Sequence, residues 1–312
     1  MSENKKRPHI SIVSPVYRAE NIIPELIQRI EDSVSNITSD FEIILIEDCG
    51  PDNSWKVIEH LAQENKRIRG FKLSRNFGQH YAITCGLDHV EGDWTIVMDC
   101  DLQDQPEEII KLYNKAQEGF DVVLAQRITR KDKFLKKIFS RLFYRTLGYL
   151  TGTVMDETIA NFGIYSTNAI SAIQSLREPI RYFPTMVKWI GFKQTAIPIE
   201  HAERTEGNSS YNFKKLLNLA LDIILAYSDK PIRLMIKFGL GISIISFLTG
   251  IQFLIQYALG KITVQGYASL IISIWFFSGL ILVMLGIVGL YVGKTFEGVK
   301  NRPIYIIEKM TI

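Results

Sequence analysis

Three carboxylates follow a stretch of apolar residues in the segment TIVMDCDLQDQP, residues 95–106. Asp99, Asp101 and Asp104 lie close together in the chain, with Gln103 among them. Carboxylates at this density repel one another unless solvent or a bound cation screens them. A hard divalent cation such as Mg²⁺ or Mn²⁺ prefers carboxylate, carbonyl and water oxygens and often shares its site with substrate phosphates. The segment therefore suggests either a solvated strand end or a metal site that includes Asp99, Asp101 and Gln103.

Strands and helices alternate through the part of the chain that contains this segment. Apolar runs predict five strands, in the segments HISIVSPVY, FEIILIED, RGFKLSRN, DWTIVMD and FDVVLAQR. Apolar residues at helical spacing occur between them, in the segments IIPELIQRIEDSV, SWKVIEHLAQEN, HYAITCGLDHV and EEIIKLYNKAQ. Such alternation predicts an α/β domain with a largely parallel sheet and helices on both faces.

Polar residues follow the ends of all five predicted strands. They are Tyr17 and Glu20, Glu47 and Asp48, Arg75 and Asn76, residues 99–104, and Arg127. In open α/β sheets, ligands bind beyond the carboxyl ends of the strands. A solvated acidic turn would not need matching polar groups at four other strand ends. The presence of polar residues at all five strand ends therefore favours a metal that holds a phosphorylated ligand at this edge of the sheet.

The composition excludes some partners and compartments. The chain has 312 residues and a formal net charge of +3, which is too small to predict a nucleic-acid-binding protein. Its cysteines, Cys49, Cys85 and Cys100, show no paired metal-ligand spacing and suit a reduced compartment. The segment MSENKKRPHISIV lacks the apolar stretch of a signal peptide, so we expect the first domain to stay in the cytosol.

Two uncharged runs, residues 238–259 and 267–293, predict a pair of membrane-spanning helices. Each run meets the length of about 20 apolar residues that a helix needs to cross a bilayer. Two such runs in succession are rare in the core of a soluble protein. The connecting segment GKITVQG contains one basic residue, whereas the flanks contain Lys230, Arg233, Lys237, Lys294, Lys300 and Arg302. This asymmetry predicts a helical hairpin in the cytoplasmic membrane with both chain ends in the cytoplasm.

Two segments interleave basic residues with apolar and aromatic ones: KDKFLKKIFSRLFYRTLGYL and YNFKKLLNLALDIILAYSDKPIRL. This pattern is typical of amphipathic helices at a membrane surface, and ordinary surface helices are the alternative. The predicted organisation is a catalytic domain over 1–210, a juxtamembrane amphipathic helix over 211–236, the hairpin over 237–294 and a cytoplasmic tail over 295–312.

Two classes of enzyme use an Asp-x-Asp pair of this kind. In haloacid-dehalogenase-like phosphatases the first aspartate is a nucleophile, but that motif ends the first strand and continues into Thr or Val. In nucleotide-sugar transferases the pair holds a metal on the diphosphate and so neutralises the leaving group. Here the pair ends the fourth predicted strand and continues into LQD, which favours the second class.

Four segments together resemble glycosyltransferase family 2: SIVSPVYRAEN, IEDCGPDNS, LSRNFGQHYAITCGLDHVEGDWTIVMDCDLQDQPEEI and ERTEGNSSY. Within that family they are similar to dolichol-phosphate-mannose-synthase-like and bacterial polyprenyl-phosphate glycosyltransferases. The resemblance implies a Rossmann-like GT-A fold and inverting transfer of a sugar from a nucleotide diphosphate, UDP or GDP, to a polyisoprenyl phosphate. In a bacterium that acceptor would be undecaprenyl phosphate. The resemblance does not determine which sugar is transferred or whether the protein forms homo-oligomers through its membrane helices.

The resemblance also implies roles for individual residues. Those assigned to the nucleotide pocket are Pro15, Tyr17, Glu20 and Gly78, with Asp48 reading the base. Asp99, Asp101 and Gln103 would hold Mg²⁺ or Mn²⁺ and the diphosphate. Arg127 and Arg141 match positions that engage the acceptor phosphate. On the donor diphosphate side the corresponding loop contributes Arg204, Ser209 and Tyr211.

The chemistry that these residues would support does not require a strong base. A lipid phosphate is already an anion at neutral pH, so the reaction needs a cationic clamp, positioning at the membrane and stabilisation of the leaving diphosphate. Arginine suits the clamp because its planar guanidinium pairs with phosphate oxygens in a bidentate way.

The chain departs from the family pattern at several positions. Where many relatives have Gly-Asp-Phe-Arg, this chain has Asn161 in place of the carboxylate and Gly163 in place of the arginine. Asn161 cannot accept a proton as a base would, which leaves it a role in orienting the acceptor or the sugar. Ser210 stands where a lysine is common, and IEDCG replaces Asp-Asp-Gly-Ser.

Two other functions are compatible with parts of the pattern. A processive polysaccharide synthase shares the fold, but it would carry a Gln-x-x-Arg-Trp motif, whose context Trp189 lacks, and more spanning helices. A non-catalytic membrane scaffold would be favoured by a broken acidic motif, whereas Asp99, Asp101 and Gln103 are all present.

Overall fold

The structure is a computed structural model that describes residues 9–127, 148, 159–200, 228–260 and 266–311. It divides the chain into two compact units. The first contains residues 1–145, 155–211 and 302–312, and the second contains residues 146–154 and 212–301.

The first unit is built on one eight-stranded sheet with the strand order β7-β5-β6-β4-β1-β2-β3-β8. The strands are β1 (Ile10–Val16), β2 (Phe41–Glu47), β3 (Ile68–Leu73), β4 (Trp94–Val97), β5 (Val122–Arg127), β6 (Ile159–Ser166), β7 (Gln194–Ile199) and β8 (Ile307–Met310). The pairs β1–β2, β1–β4, β2–β3 and β5–β7 are parallel. The pairs β4–β6, β5–β6 and β3–β8 are antiparallel. The predicted largely parallel sheet is therefore confirmed.

Helices cover both faces of this sheet, as predicted. They are α1 (Ile23–Val34), α2 (Ser54–Glu64), α3 (Gln79–Leu87), α4 (Ile109–Ala116), α5 (Thr167–Ser175) and α6 (Phe183–Trp189), with a 3₁₀ turn at Pro106–Glu108 before α4. One apolar core joins α1, α2 and α4 to the sheet, and a second joins α3, α5 and α6 to its other face. Along β1 the side chain of Ile12 enters the first core and that of Val13 enters the second. All seven residues of β1 and of β2 are buried, and five of the seven in each strand are apolar. The buried polar residues are Ser11 and Ser14 in β1 and Glu42 and Glu47 in β2.

Strand β6 is inserted between β4 and β5 and runs antiparallel to both. The five strands predicted from the apolar runs are present, but the fourth and fifth do not pair with each other. Because β6 reverses direction between them, β5 still ends at the same edge of the sheet as β4. Val97 of β4 lies opposite Gly163 of β6, and Leu124 of β5 lies opposite the same glycine.

The last strand, β8, lies antiparallel along the outer edge of β3, in a segment that the sequence assigned to a tail. The ammonium of Lys72 lies 3.0 Å from the carboxylate of Glu308, and the hydroxyl of Tyr305 donates a 2.8 Å hydrogen bond to Asp88. The backbone N–H of Gly70 donates to the hydroxyl of Thr311 over 2.8 Å. These contacts cover an edge that would otherwise present unpaired backbone groups.

The second unit contains two long helices, α7 (Lys230–Ala258) and α8 (Tyr267–Val299). Within the described residues, Lys230–Gln252 and Ser273–Val299 are long and apolar enough to cross a membrane, and neither stretch is buried inside the protein. Their large apolar side chains face outward, and Trp275, for example, is 77% exposed. This confirms the two predicted apolar helices and contradicts the alternative of a buried soluble core. The predicted amphipathic segments fall largely outside the described residues.

Candidate active site

The carboxyl ends of four parallel strands meet at one edge of the sheet. Val16 at the end of β1 lies opposite Glu47 at the end of β2, and Glu47 in turn lies opposite Lys72 of β3. On the other side of β1, Val13 lies opposite Val97, the last residue of β4. The register thus brings the polar residues that follow β1, β2, β3 and β4 to the same edge.

The backbone is strained in the loops that follow three of these strands. Arg18, Cys49 and Leu102 have φ angles of 54°, 50° and 57° and follow the ends of β1, β2 and β4. Residues other than glycine seldom adopt this left-handed conformation, and each instance costs about 1–3 kcal/mol. Such strain is retained where the surrounding structure enforces it, typically around ligand sites.

The loops after β1 and β2 enclose a small cavity. The carboxylate of Glu20 accepts a 2.8 Å hydrogen bond from the backbone N–H of Asn53, and the N–H of Glu20 donates to Asp52 over 3.2 Å. The cavity between them has a volume of about 250 Å³ and is lined by residues 18–22, 51 and 52. Tyr17 is 43% exposed beside it, with the guanidinium of Arg18 5.3 Å from its ring centre. Glu20 thus lines this cavity, and the exposed Tyr17 directly precedes its first lining residue.

Pro15 is a strand residue in this structure, because it is buried within β1 and pairs with Ile46 of β2. The pairing of β1 with β4 spans Ile10 to Val13, so Pro15 lies past its end. The missing N–H of the proline therefore breaks no ladder between β1 and β4.

Asp48 anchors the loop that leads into α3. Its two carboxylate oxygens accept hydrogen bonds of 2.8 Å each from the backbone N–H groups of Phe77 and Gly78. Burial raises the pKa of Asp48, and the two N–H groups and the nearby Arg75 oppose that shift. Gly78 has a φ of 106°, a conformation that favours glycine. The geometry thus gives both Asp48 and Gly78 a structural task, and contact of Asp48 with a base stays a prediction.

The acid pair follows β4. The side-chain amide of Gln79, the first residue of α3, donates a 2.6 Å hydrogen bond to Asp99. The carboxylate of Asp101 accepts a 3.2 Å hydrogen bond from the backbone N–H of Gln103. Sequence reasoning missed Gln79, although it lies within the motif LSRNFGQHYAITCG that carries the family resemblance.

The donor set at this turn fits a cation that is shared with a phosphorylated ligand. In the part of the chain that the structure describes, no group of three or more His, Cys, Asp or Glu side chains is arranged to hold a metal ion. The described residues therefore do not form a complete metal site from protein side chains alone. Mg²⁺ is usually bound by one or two carboxylates together with substrate phosphates and water, which is the set that Asp99 and Asp101 can offer.

The acceptor-side candidates are only partly described. Val97, the last residue of β4, lies opposite Gly163, so Asp99 and Asn161 both lie beyond this pair, towards the same edge of the sheet. Arg127 is the last residue of β5, at the same edge of the sheet, and only its backbone is described. The remaining candidates lie outside the described residues: Arg141, Arg204, Ser209 and Tyr211.

His80 lies next to Gln79 and is neutral at physiological pH. Its ring packs edge-on against Tyr182, with the ring centres 4.9 Å apart. Its Nδ1 atom is buried, with no hydrogen-bond partner among the described residues. Burial lowers the pKa of His80 from 6.5 to about 4.

This shift predicts a pH dependence of stability. Between pH 6.5 and about 4 the unfolded chain binds a proton on His80 that the folded chain does not, so stability falls as the pH falls through this window. We expect His80→Phe, which retains an aromatic ring against Tyr182, to remove about 1–3 kcal/mol of that loss. Thermal unfolding of both proteins in detergent across this pH range measures the difference. Equal losses in the two proteins would contradict the prediction.

Comparison with known proteins agrees with this geometry. Residues 11–175 match the model of glycosyl transferase family 2. The chain is 34% identical over 300 residues to the uncharacterised glycosyltransferase YkcC of Bacillus subtilis, covering 96% of this chain and 93% of that one. It is 33% identical over 304 residues to an undecaprenyl-phosphate 4-deoxy-4-formamido-L-arabinose transferase of Klebsiella pneumoniae, with the same coverage of 96% and 93%.

Among solved structures, the chain resembles glucosyl-3-phosphoglycerate synthase of Mycobacterium tuberculosis in complex with Mn²⁺, UDP and phosphoglyceric acid. The TM-score is 0.51 at 14% sequence identity, and the match covers 70% of this chain and 77% of that one. At this identity the likeness establishes the fold, which is of the GT-A type. Together with the sequence relatives it shows that this chain is a glycosyltransferase that belongs to glycosyl transferase family 2.

Proposed function

We propose that this glycosyltransferase transfers a sugar from a nucleotide-sugar to a polyprenyl phosphate at the cytoplasmic face of the membrane, with inversion at the sugar. In a bacterium the acceptor is undecaprenyl phosphate. The observation that carries this proposal is the end-to-end similarity to transferases named for undecaprenyl phosphate, which covers 96% of this chain. That alignment extends beyond the catalytic sheet and includes the two apolar helices, which would place the enzyme at its lipid acceptor.

The path of the chain supports a membrane hairpin. Strand β8 follows α8, yet it pairs with β3, which precedes α7. This pairing supports a hairpin in which the segments before α7 and after α8 would lie on the same side of the membrane. The basic residues beside the helices favour the cytoplasmic side, in line with the positive-inside rule.

The donor would bind at the edge formed by β1, β2, β3 and β4. Tyr17 and Glu20 lie beside the cavity between the first two loops, on the side where the nucleoside would enter. Arg75, whose guanidinium lies 4.0 Å from the ring centre of Phe77, adds a cation that sequence reasoning placed at the end of β3. The diphosphate would then extend towards Asp99 and Asp101.

Asp99 and Asp101 would hold Mg²⁺ or Mn²⁺ against that diphosphate, with Gln103 beside them. When bound, the cation neutralises the charge that builds up on the leaving diphosphate. Gln103 donates its backbone N–H to Asp101 and so restricts the orientation of that carboxylate. Gln79 donates its side-chain amide to Asp99.

The acceptor side needs orientation and positive charge more than it needs a base. A polyprenyl phosphate is an anion at neutral pH, and its oxygen can attack the anomeric carbon without first losing a proton. Asn161, towards the same edge of the sheet as Asp99, would orient the acceptor or the sugar through its amide. Arg127, Arg141 and Arg204 would clamp the phosphates, since guanidinium pairs with phosphate in a bidentate way.

A transfer assay in detergent tests the proposal. The purified full-length chain is incubated with Mg²⁺ or Mn²⁺, undecaprenyl phosphate and a panel of UDP-, GDP- and dTDP-sugars, and mass spectrometry identifies the lipid products. We expect one donor to give undecaprenyl phosphate with a single sugar attached, and undecaprenol, which lacks the phosphate, to give none. A folded protein that yields no lipid product from any donor would contradict the proposed acceptor. Products that carry a growing chain of sugars would favour a processive synthase instead.

A further inference from the structure

We propose that Gln79 is a positioning residue for Asp99, and that Asp48 acts through Gln79 by fixing the loop that precedes α3. The inference rests on the proposed function, in which Asp99 helps to hold the cation and the diphosphate. It assigns Asp48 a task other than base recognition, and it assigns Gln79 a task that neither its type nor its spacing predicted.

The first observation is the contact between Gln79 and Asp99. The side-chain nitrogen of Gln79 lies 2.6 Å from one carboxylate oxygen of Asp99. A carboxylate can only accept in such a contact, so the amide nitrogen faces it and donates. A hydrogen bond to a charged acceptor is shorter and stronger than one between neutral groups. The bond therefore restricts the rotation of the Asp99 side chain before any ligand binds.

The second observation is how the structure fixes the position of Gln79. The loop before α3 is held at Phe77 and Gly78, whose N–H groups both donate to the buried carboxylate of Asp48. Gln79 follows directly as the first residue of the helix. Asp48 follows β2 and Asp99 follows β4, and β1 lies between these two strands in the sheet. The loop and Gln79 thus connect two strand ends that do not pair with each other.

The remainder of α3 is also held firmly. Gly86 lets the helix approach the sheet closely, since a Cβ there would lie 2.4 Å from Val13 and 2.6 Å from Ile46. The hydroxyl of Tyr81 donates to the carbonyl of Pro179 over 2.9 Å, and the buried guanidinium of Arg181 donates to Thr84 over 2.7 Å. A side chain on such a rigid element can hold a carboxylate in one orientation.

The consequence concerns the affinity for the cation. Carboxylates that ligate metals are themselves hydrogen-bonded, and loss of such a partner costs about 10–100-fold in metal affinity. Gln79→Met retains the length of the side chain and its tendency to form helix but removes the donor. If Gln79 only fills space, this variant should bind the cation as the wild type does.

Gln174 provides a matched control. Its side-chain amide donates to the carbonyl of Leu87, at the other end of α3, away from the acid pair. Gln174→Met therefore removes the same kind of donor from the same neighbourhood of the fold without touching Asp99. Any effect on α3 as a whole should be similar in the two variants.

The experiment measures Mn²⁺ binding to the full-length chain in detergent, through the paramagnetic resonance of free Mn²⁺, with UDP, GDP or dTDP present. We expect Gln79→Met to bind Mn²⁺ at least about tenfold more weakly, and Gln174→Met to match the wild type. In the transfer assay, Gln79→Met should need more Mn²⁺ for half-maximal rate and recover most of the rate at saturating Mn²⁺. Equal Mn²⁺ affinity in Gln79→Met and wild type would overturn the inference.

A double-mutant cycle tests the role of Asp48. If Asp48 acts through Gln79, the effects of Asp48→Asn and Gln79→Met on Mn²⁺ affinity are not additive in the double variant. Additive effects would overturn that part of the inference. A wild-type protein that binds no Mn²⁺ with any of the nucleotides would instead overturn the proposed metal site, and this inference with it.

Discussion

Replacing Asp101 by Asn should lower the rate of sugar transfer by about 10²–10³-fold, while the protein stays folded. The substitution retains the size of the side chain and one of its oxygens, but it removes the negative charge that would hold the cation. The leaving diphosphate would then develop its charge without that cation beside it. Asp99→Asn should have a similar effect, since the two carboxylates would hold the same ion.

Stability should not fall in Asp101→Asn. Asp99 and Asp101 lie two residues apart in a segment that also contains Asp104, so each carboxylate repels the others in the absence of a cation. Removing one charge relieves part of this repulsion. We therefore expect the unfolding temperature of Asp101→Asn without metal to equal or exceed that of the wild type.

Asp93 provides the matched control for this substitution. It precedes β4, at the opposite end of the same strand, and its carboxylate lies 3.5 Å from the imidazole of His9. Asp93→Asn should transfer sugar at the wild-type rate. The measurement is the initial rate of lipid product formation for the three proteins at saturating donor, with and without a chelator. An Asp101→Asn variant that retains full activity would show that this carboxylate does not hold the cation.

The central strands could be predicted because strands that are buried on both faces consist mostly of apolar residues. Five of the seven residues in each of β1 and β2 are apolar, and a group of polar residues begins at or just after the end of each strand. Since parallel strands end at the same edge, the meeting of their polar residues also followed from the sequence. The helices between them could be predicted from apolar spacing, and Pro106 does open the turn that leads into α4.

Strands β6 and β8 could not be predicted, because both depend on pairing across long distances in the chain. The segment Ile159–Ser166 contains an asparagine and a glycine, and it becomes a strand because β4 and β5 flank it. The segment Ile307–Met310 is only four residues long and two of them are charged. It becomes a strand because the edge of β3 is available for pairing. Long-range pairing of this kind overrides local propensity.

The contact between Gln79 and Asp99 could not be predicted from the sequence for a related reason. A glutamine has no chemistry that marks it as part of a site. Its contact with Asp99 depends on the residue at which α3 begins, and that start is set by the bonds from Phe77 and Gly78 to Asp48. Helix boundaries are among the least predictable features of a sequence, whereas acidic pairs at strand ends are easily recognised.

Introducing at Gly163 the arginine of the family pattern should prevent the first unit from folding. Gly163 lies in the middle of β6, with β4 on one side and β5 on the other. A Cβ at this position would lie 2.9 Å from the backbone oxygen of Val123, 3.0 Å from the hydroxyl oxygen of Tyr165 and 3.1 Å from Leu124. Since one of these neighbours is backbone, relief requires that a strand move.

The size of the effect follows from two costs. Overpacking by a single methyl group costs about 1–3 kcal/mol, which is the loss expected for Gly163→Ala. Gly163→Arg adds a charge in a position surrounded by the buried side chains of Leu124 and Tyr165, and burying an unpaired charge costs considerably more. We therefore expect Gly163→Ala to fold with a lowered unfolding temperature and Gly163→Arg to give aggregated protein.

Asn161→Asp is the natural comparison, because it restores the other residue of the family motif in the same strand. Asn161 is half-buried and Asp has nearly the same size as Asn, so this substitution should leave the fold intact. Size-exclusion chromatography and thermal unfolding in detergent distinguish the three variants. A soluble Gly163→Arg with the unfolding temperature of the wild type would show that β6 can shift to admit the arginine. If β6 cannot shift, the packing of Tyr165 and Leu124 explains why this position is a glycine. The positive charge proposed for the acceptor phosphate would then come from other arginines, and Arg127 at the end of β5 is the first candidate.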